Sequence, residues 1–189
     1  TSVNPDEPGL GIPIDLAFAF HSDAGTTTND STMVGTLGIF CTDVYDGVYT
    51  DGTTRYAARD LTDIIQSTIV HDVRTLYEPR WVRRAMWNKP YSEARTPRVP
   101  TMLLELLSHQ NFADMRLGLD PRFRFTVSRA IYKGMLRFLA DRYGRKYVVQ
   151  PLPVDHMCLR FVREGEVELT WRPVADPLEP TAEAKQYIV

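Results

Sequence analysis

The sequence predicts an α/β protein: an open mixed sheet flanked by helices, followed by a partial all-β segment. Three observations predict it. Apolar runs over 14–20 and 101–107 each end in polar or ionisable residues, as buried strands do where they leave an open sheet. Two stretches, from Arg59 to Val73 and over 122–142, carry apolar residues at three- and four-residue spacing. After Tyr147 the period falls to two. The expected division is therefore 1–147 and 148–189.

Residues 1–11 read as loop, with Asn4-Pro5 and Pro8-Gly9 as turns. Strand one covers 14–20. The small polar run 22–32 is a surface loop at its exit, and Val34 to Thr42 forms strand two. Tyr45 to Thr54 contains Asp-Gly twice and reads as a loop or hairpin tip. The first helix runs from Arg59, with Asp60 or Thr62 as its cap and Leu61, Ile64, Ile65, Thr68, Ile69 and Val73 as its apolar stripe. Residues 81–98, rich in Trp, Arg and Pro, read as irregular. Pro100 opens the strand over 101–107, and Ser108 begins a loop in which Asp114 and Asp120 are capping residues. The second helix turns Phe125, Val127, Ala130, Ile131, Met135, Phe138 and Leu139 inward and stops at Gly144. Residues 148–154 form an extended, proline-punctuated linker. Met157–Val162 and Val167–Arg172 alternate as an antiparallel pair around Glu164-Gly165, and Gln186–Val189 reads as a third strand. Two or three strands do not make a stable sandwich, so this module is incomplete as written.

A formal charge of −2, from 22 basic and 24 acidic residues, provides no basic excess for nucleic acid. The local cluster Arg80, Arg83, Arg84, Arg95 and Arg98 reads as a solvated face, or as a contact for an anionic substrate. No run of 18 apolar residues encodes a membrane-spanning helix. Cys41 and Cys158 form no CxxC pair and fix neither redox compartment nor pairing. No signal peptide opens the chain, and the start at Thr1 reads as mid-loop. The expectation is a downstream piece of a longer or processed protein, with the preceding part of that protein as its partner.

The chemistry concentrates at the two strand ends. His21 closes the first run and Glu105 sits in Leu103-Leu-Glu-Leu-Leu107 on the second. A neutral imidazole that can hold a metal and a carboxylate that can take a proton from its water are what a zinc hydrolase requires. The plainer alternatives are a satisfied strand-end histidine and a glutamate paired with an arginine. A carboxylate among apolar neighbours is costly unless paired or functional.

Phe18-Ala-Phe-His21-Ser-Asp23, then Pro100-Thr-Met-Leu-Leu-Glu105 with Ser108-His-Gln-Asn111, then Ala130-Ile-Tyr-Lys-Gly134 occur in that order. Residues 14–143 thereby resemble the C-terminal half of a zinc-dependent N-acetylmuramoyl-L-alanine amidase of the amidase-3 type, with a phosphorylase/hydrolase-like sheet. Leu169-Thr-Trp-Arg-Pro-Val174 and Tyr187-Ile-Val189 resemble the opening strands of a fibronectin type III domain. The combination is similar to secreted amidase-like proteins of Bacteroidetes, some labelled "xanthan lyase".

The resemblance implies His21 as a zinc ligand and Glu105 as the catalytic glutamate, with the remaining ligands upstream of this chain. It implies Zn2+ as cofactor, a glycan-peptide or peptide substrate, and a secreted, periplasmic or cell-surface location. Ser22, Asp23, the Thr26–Thr28 loop and His109 are expected to bind substrate, and Arg95 to hold a substrate carboxylate or the developing oxyanion. Asp23 stands where the family has Asn, and Leu106-Leu-Ser108 replaces a Glu-x-Gly-Phe-x-Ser pattern. Two other readings stand beside the amidase: a metallocarboxypeptidase-like peptidase with a similar fold, and a non-catalytic cell-surface binding module.

Overall fold

The computed structural model describes residues 11–188, so the expected turns before residue 11 and the carboxylates Asp6 and Glu7 lie outside the described residues. In chain order the elements are β1 (Ala17–Asp23), β2 (Leu37–Phe40), a 3-10 turn at Tyr45–Gly47, α1 (Tyr56–Leu76), β3 (Trp87–Asn88), α2 (Ser92–Arg95), β4 (Thr101–Ser108), α3 (Phe112–Gly118), α4 (Pro121–Tyr143), β5 (Asp155–Arg163) and β6 (Glu166–Arg172). The chain divides into two units, one reaching Leu139 and one starting at Ala140.

In the first unit the sheet order is β1-β4-β2-β3. β4 runs parallel to β1 and antiparallel to β2, and β2 runs parallel to β3. This is the mixed sheet expected from the sequence. β4 lies in the interior of the sheet and seven of its eight residues are buried, which explains the apolar runs on either side of Glu105.

Met102, Leu104 and Leu106 face a core built with Leu61, Ile65 and Ile69 of α1 and Phe123, Val127 and Ala130 of α4. Each such fully buried side chain contributes on the order of 2 kcal/mol. The other face carries a smaller cluster of Leu37, Ile39 and Leu103. A Cβ on Gly134 would stand 2.8 Å from the Cα of Ile65, so glycine there permits the close approach of α4 to α1. Between the same helices, Lys133 Nζ lies 2.7 Å from Asp72 Oδ2 with both side chains almost fully buried.

Several expectations need correction. α1 begins at Tyr56, three residues before Arg59, and neither Asp60 nor Thr62 caps it. Its cap position is Arg55, whose guanidinium is drawn inside to the carbonyls of Cys41 and Ala94 and brings the chain into the helix a turn earlier. Residues 81–98 are more ordered than expected and contain β3 and α2. This segment packs so closely on β2 that a Cβ at Gly35 (φ +75°) would lie 2.3 Å from the carbonyl of Val82. The loop after Ser108 contains α3, capped by Asn111, whose side chain accepts from the Asp114 amide. Asp120 does cap α4, accepting from Arg122 N at 2.8 Å.

Phe125 does not face inward; it is 52% exposed. It lies two residues from both Phe123 and Val127, about 200° around the helix from each buried neighbour. Gly144 ends α4 with φ +59°, as a left-handed stop requires.

In the second unit β5 and β6 form one antiparallel hairpin, turned at Gly165 with φ +76°. Residues 186–188 form no strand, contrary to the expected third one. The ring of Tyr187 instead rests 5.2 Å from Trp171. A single hairpin is short of a sandwich, and its apolar residues Met157, Leu159 and Phe161 remain well exposed.

Candidate active site

β1 and β4 are in register with His21 opposite Glu105, and Leu37 of β2 lies opposite Glu105 on the other side. Cross-strand partners share a face, so His21 and Glu105 stand side by side on the face away from α1 and α4. One step further the register slips, and Asp23 pairs with Ser108. The slip makes Leu106 and Leu107 both enter the main core and brings the end of β4 round toward the β1 exit.

The loop leaving β1 is held from below. The carboxylate of Asp114, wholly buried, accepts from Val34 N (3.1 Å), Gly35 N (3.0 Å) and Ser108 N (2.9 Å). Asn111 donates to Thr27 Oγ1 and to the Thr32 carbonyl, both at 2.9 Å. His109 N donates to the Asp23 carbonyl at 2.9 Å. The β1 exit, the β4 exit and α3 are thereby fixed to one another, and the site's side chains stand on rigid backbone.

Within this frame, His21 Nε2 lies 3.6 Å from a carboxylate oxygen of Glu93 at the start of α2. Ser22 Oγ and His109 Nδ1 share a hydrogen bond of 3.1 Å. Asp23 Oδ2 takes a 2.5 Å hydrogen bond from Arg84 Nη1. Glu105 Oε2 is buried with no hydrogen-bond partner among the described residues. Thus His21, Ser22, Asp23, Glu105 and His109 gather as expected. Arg95 is exposed at the end of α2, and Arg84 is the arginine whose charge acts on Glu105.

Burial raises the Glu105 pKa, the charge of Asp23 adds to the rise, and His21, Arg84 and His109 oppose it. For Asp23, burial also acts upward, but the hydrogen bond and charge of Arg84 and the amides of Ala24 and Gly25 outweigh it, and the net shift is downward. Glu93 is held low by Ser92 and its own amide, with a contribution from His21. The two neighbouring carboxyls are thus pushed in opposite directions, Asp23 toward its ionised form and Glu105 toward its protonated one.

The site's fit to zinc is partial. His21 supplies an imidazole and Glu105 an orphaned buried oxygen, which fit in kind. Among the described residues, however, no three His, Cys, Asp or Glu side chains gather as a metal-holding group, whereas a catalytic zinc ordinarily takes three protein ligands.

Arg84 and Glu93 were not singled out by the sequence. Arg84 belongs to the visible arginine cluster, but only the chain path from the Trp81 anchor selects it. Arg84 N donates to the Thr36 carbonyl (2.9 Å), and Gln66 Nε2 donates to the carbonyls of Thr36 and Arg84.

No family model matches the chain, and no curated protein matches it. Solved structures do. N-acetylmuramoyl-L-alanine amidase from Clostridium difficile 630 aligns at 17% identity over 68% of this chain and 59% of its own, with a TM-score of 0.53. The CwlD amidase of Clostridioides difficile, solved in complex with the GerS lipoprotein, aligns at 16% over 67% and 55%, TM-score 0.52. AmiC2 of Nostoc punctiforme, another N-acetylmuramoyl-L-alanine amidase, aligns at 14% over 66% and 57%, TM-score 0.51. At these identities the shared property is the fold alone. The chain spans less than two thirds of the length of each of these structures.

Proposed function

We propose that this chain carries the glutamate-bearing part of a hydrolase that cleaves an amide bond in a peptidoglycan-like cell-wall substrate, between a lactyl-sugar and a peptide. The observation that carries the reading is Glu105. It is a carboxyl with one buried, unpartnered oxygen and a raised pKa, adjacent to His21 in a fold shared with peptidoglycan amidases. A core strand position holding an unsatisfied carboxylate is destabilising by itself, and such a group is retained where it has a reacting partner.

In this reading Glu105 takes a proton from the attacking water and passes it to the leaving amine. A pKa raised above the ordinary carboxylate value makes the return of the proton to the leaving amine easier. Asp23 stays ionised and fixes the Arg84 guanidinium, which faces the carbonyl-bearing end of the substrate. Ser22 and His109 bind substrate at the β1 exit. Zinc, held by His21 and by ligands from outside the described residues, would lower the pKa of bound water and polarise the carbonyl. The substrate implies action outside the cytoplasm, at the cell surface or in the periplasm.

The incomplete donor set favours a second reading, a non-catalytic module that binds the same wall material. Zinc content by elemental mass spectrometry and muropeptide hydrolysis, both on the full-length protein, separate the two. The hydrolase reading expects about one zinc per chain, lost in His21→Ala. Glu105→Gln should keep the metal and lose hydrolysis by roughly 10²- to 10⁴-fold. Neither zinc nor hydrolysis in the wild type would leave the binding module.

A further inference from the structure

We infer that Trp87 is a stacking wall of this site for a pyranose ring of the substrate, with Arg84 and Asp23 taking the ring's hydroxyls; the inference rests on the cell-wall reading above. Ile39 is in register with Leu103 on one side and Trp87 on the other. Those three side chains therefore share the sheet face that carries Glu105, two residues along β4 from Leu103. Unlike Ile39 and Leu103, which are covered, Trp87 is 40% exposed.

Its distance from the chemistry follows from one group. The Arg84 guanidinium carbon lies 5.5 Å from the centre of the Trp87 ring, and Nη1 of the same guanidinium is 2.5 Å from Asp23 Oδ2. The indole thus stands one guanidinium away from Asp23, the ionised carboxylate whose charge acts on Glu105.

The platform is rigid although β3 is only two residues long. On one side Gln66 and Thr36 hold the Arg84 backbone. On the other, Asn88 accepts from Thr42 N (3.0 Å) and donates to Thr42 Oγ1 (2.6 Å), while Lys89 N donates to the Phe40 carbonyl (2.9 Å). A partly exposed indole on a backbone held at both ends gains by being covered, with less ordering left to be met on binding.

The adjoining groups select the ligand. A pyranose has an apolar C–H face and a rim of hydroxyls, which match an indole flanked by a guanidinium donor and a carboxylate acceptor. An aliphatic peptide side chain would use the indole but has no hydroxyls for the adjoining donor and acceptor.

The test titrates the full-length protein with a peptide-free N-acetylglucosamine tetrasaccharide and, separately, with a sugar-free stem peptide. The Trp87 indole N–H resonance is followed by NMR. The tetrasaccharide is expected to move that resonance and leave that of buried Trp81 unchanged. Trp87→Ala should weaken tetrasaccharide binding about tenfold, with Trp87→Phe close to wild type and stem-peptide affinity unaltered. A tetrasaccharide that leaves Trp87 unmoved, or binds Trp87→Ala as well as wild type, overturns the inference. Muropeptide hydrolysis measured on the same samples separates the two ideas. Hydrolysis without a Trp87 response removes the stacking wall alone, and a Trp87 response without hydrolysis removes the amidase alone.

Discussion

Removal of Asp114 should be costly, because one buried side chain holds three backbone donors. Its carboxylate accepts three backbone N–H bonds, from Val34, Gly35 and Ser108, at 2.9–3.1 Å. The residue has no exposed surface. Asp114→Ala leaves three donors without that acceptor in a region where water enters only if the loop opens. Each orphaned buried donor costs on the order of 1–3 kcal/mol. Allowing partial relaxation, the variant should lose about 3–5 kcal/mol, a large share of a stability that for a domain this size is about 5–15 kcal/mol. Asp114→Asn should fall between, because its single oxygen can serve part of the set and its amide nitrogen meets N–H groups. The assay is urea unfolding of both variants at equal ionic strength, read as a shift in midpoint at unchanged slope. Amide hydrogen exchange at Val34, Gly35 and Ser108 should accelerate in both, since the loop between β1 and β2 is released. An Asp114→Ala protein within about 0.5 kcal/mol of wild type, with those amides still protected, would refute the idea that this carboxylate ties the site's two strand exits together.

The buried pair Lys133–Asp72 yields a separate stability test. Lys133→Met removes the buried cation paired with the Asp72 carboxylate, leaving the exposed His71 beside it, and should cost about 3–5 kcal/mol in the same assay. The double variant with Asp72→Leu should recover most of the loss. For pH dependence, a basic Glu105 makes hydrolysis rise as pH passes its elevated pKa. Asp23→Asn removes a charge that raises that pKa and should move the acidic limb to lower pH. Arg84→Gln removes a charge that lowers it and should move the limb higher. Equal shifts of one sign would contradict the placement of these charges. Because the Glu105 pKa is raised on folding, its contribution to stability is present at low pH and lost as pH climbs through the folded value. Glu105→Gln is therefore expected to be more stable than wild type at pH 7, by an amount that vanishes below the carboxylate range.

The strand over 101–107 was legible because a strand covered on both faces must be continuously apolar, and Glu105 stood out as the one break in it. His21 was legible as the polar end of an apolar run. The two long helices followed from three- and four-residue spacing, and the stop at Gly144 from glycine's ease in left-handed backbone. Phe125 points outward because Phe123 and Val127, each about 200° away around the helix, fix the buried face. α1 started early because Arg55 is anchored by carbonyls of Cys41 and Ala94, which are distant in sequence. The expected third strand at the chain's end did not form over 186–188, since an alternating pattern specifies a strand only when a neighbour is there to pair with it.

Periodicity and strand-end residues thus determined the α/β class, the two central strands and the pairing of an imidazole with a carboxylate as the candidate chemistry. These are local properties, set by how side chains alternate along one backbone segment. Which arginine reaches the site, which carboxylate stands beside His21, and that Trp87 shares a face with Glu105 were decided by register between strands and by the slip at the β1–β4 exit. Register joins residues 48 to 85 positions apart. It is fixed by burial and hydrogen bonding summed over the whole sheet, and no single segment of the sequence carries that sum.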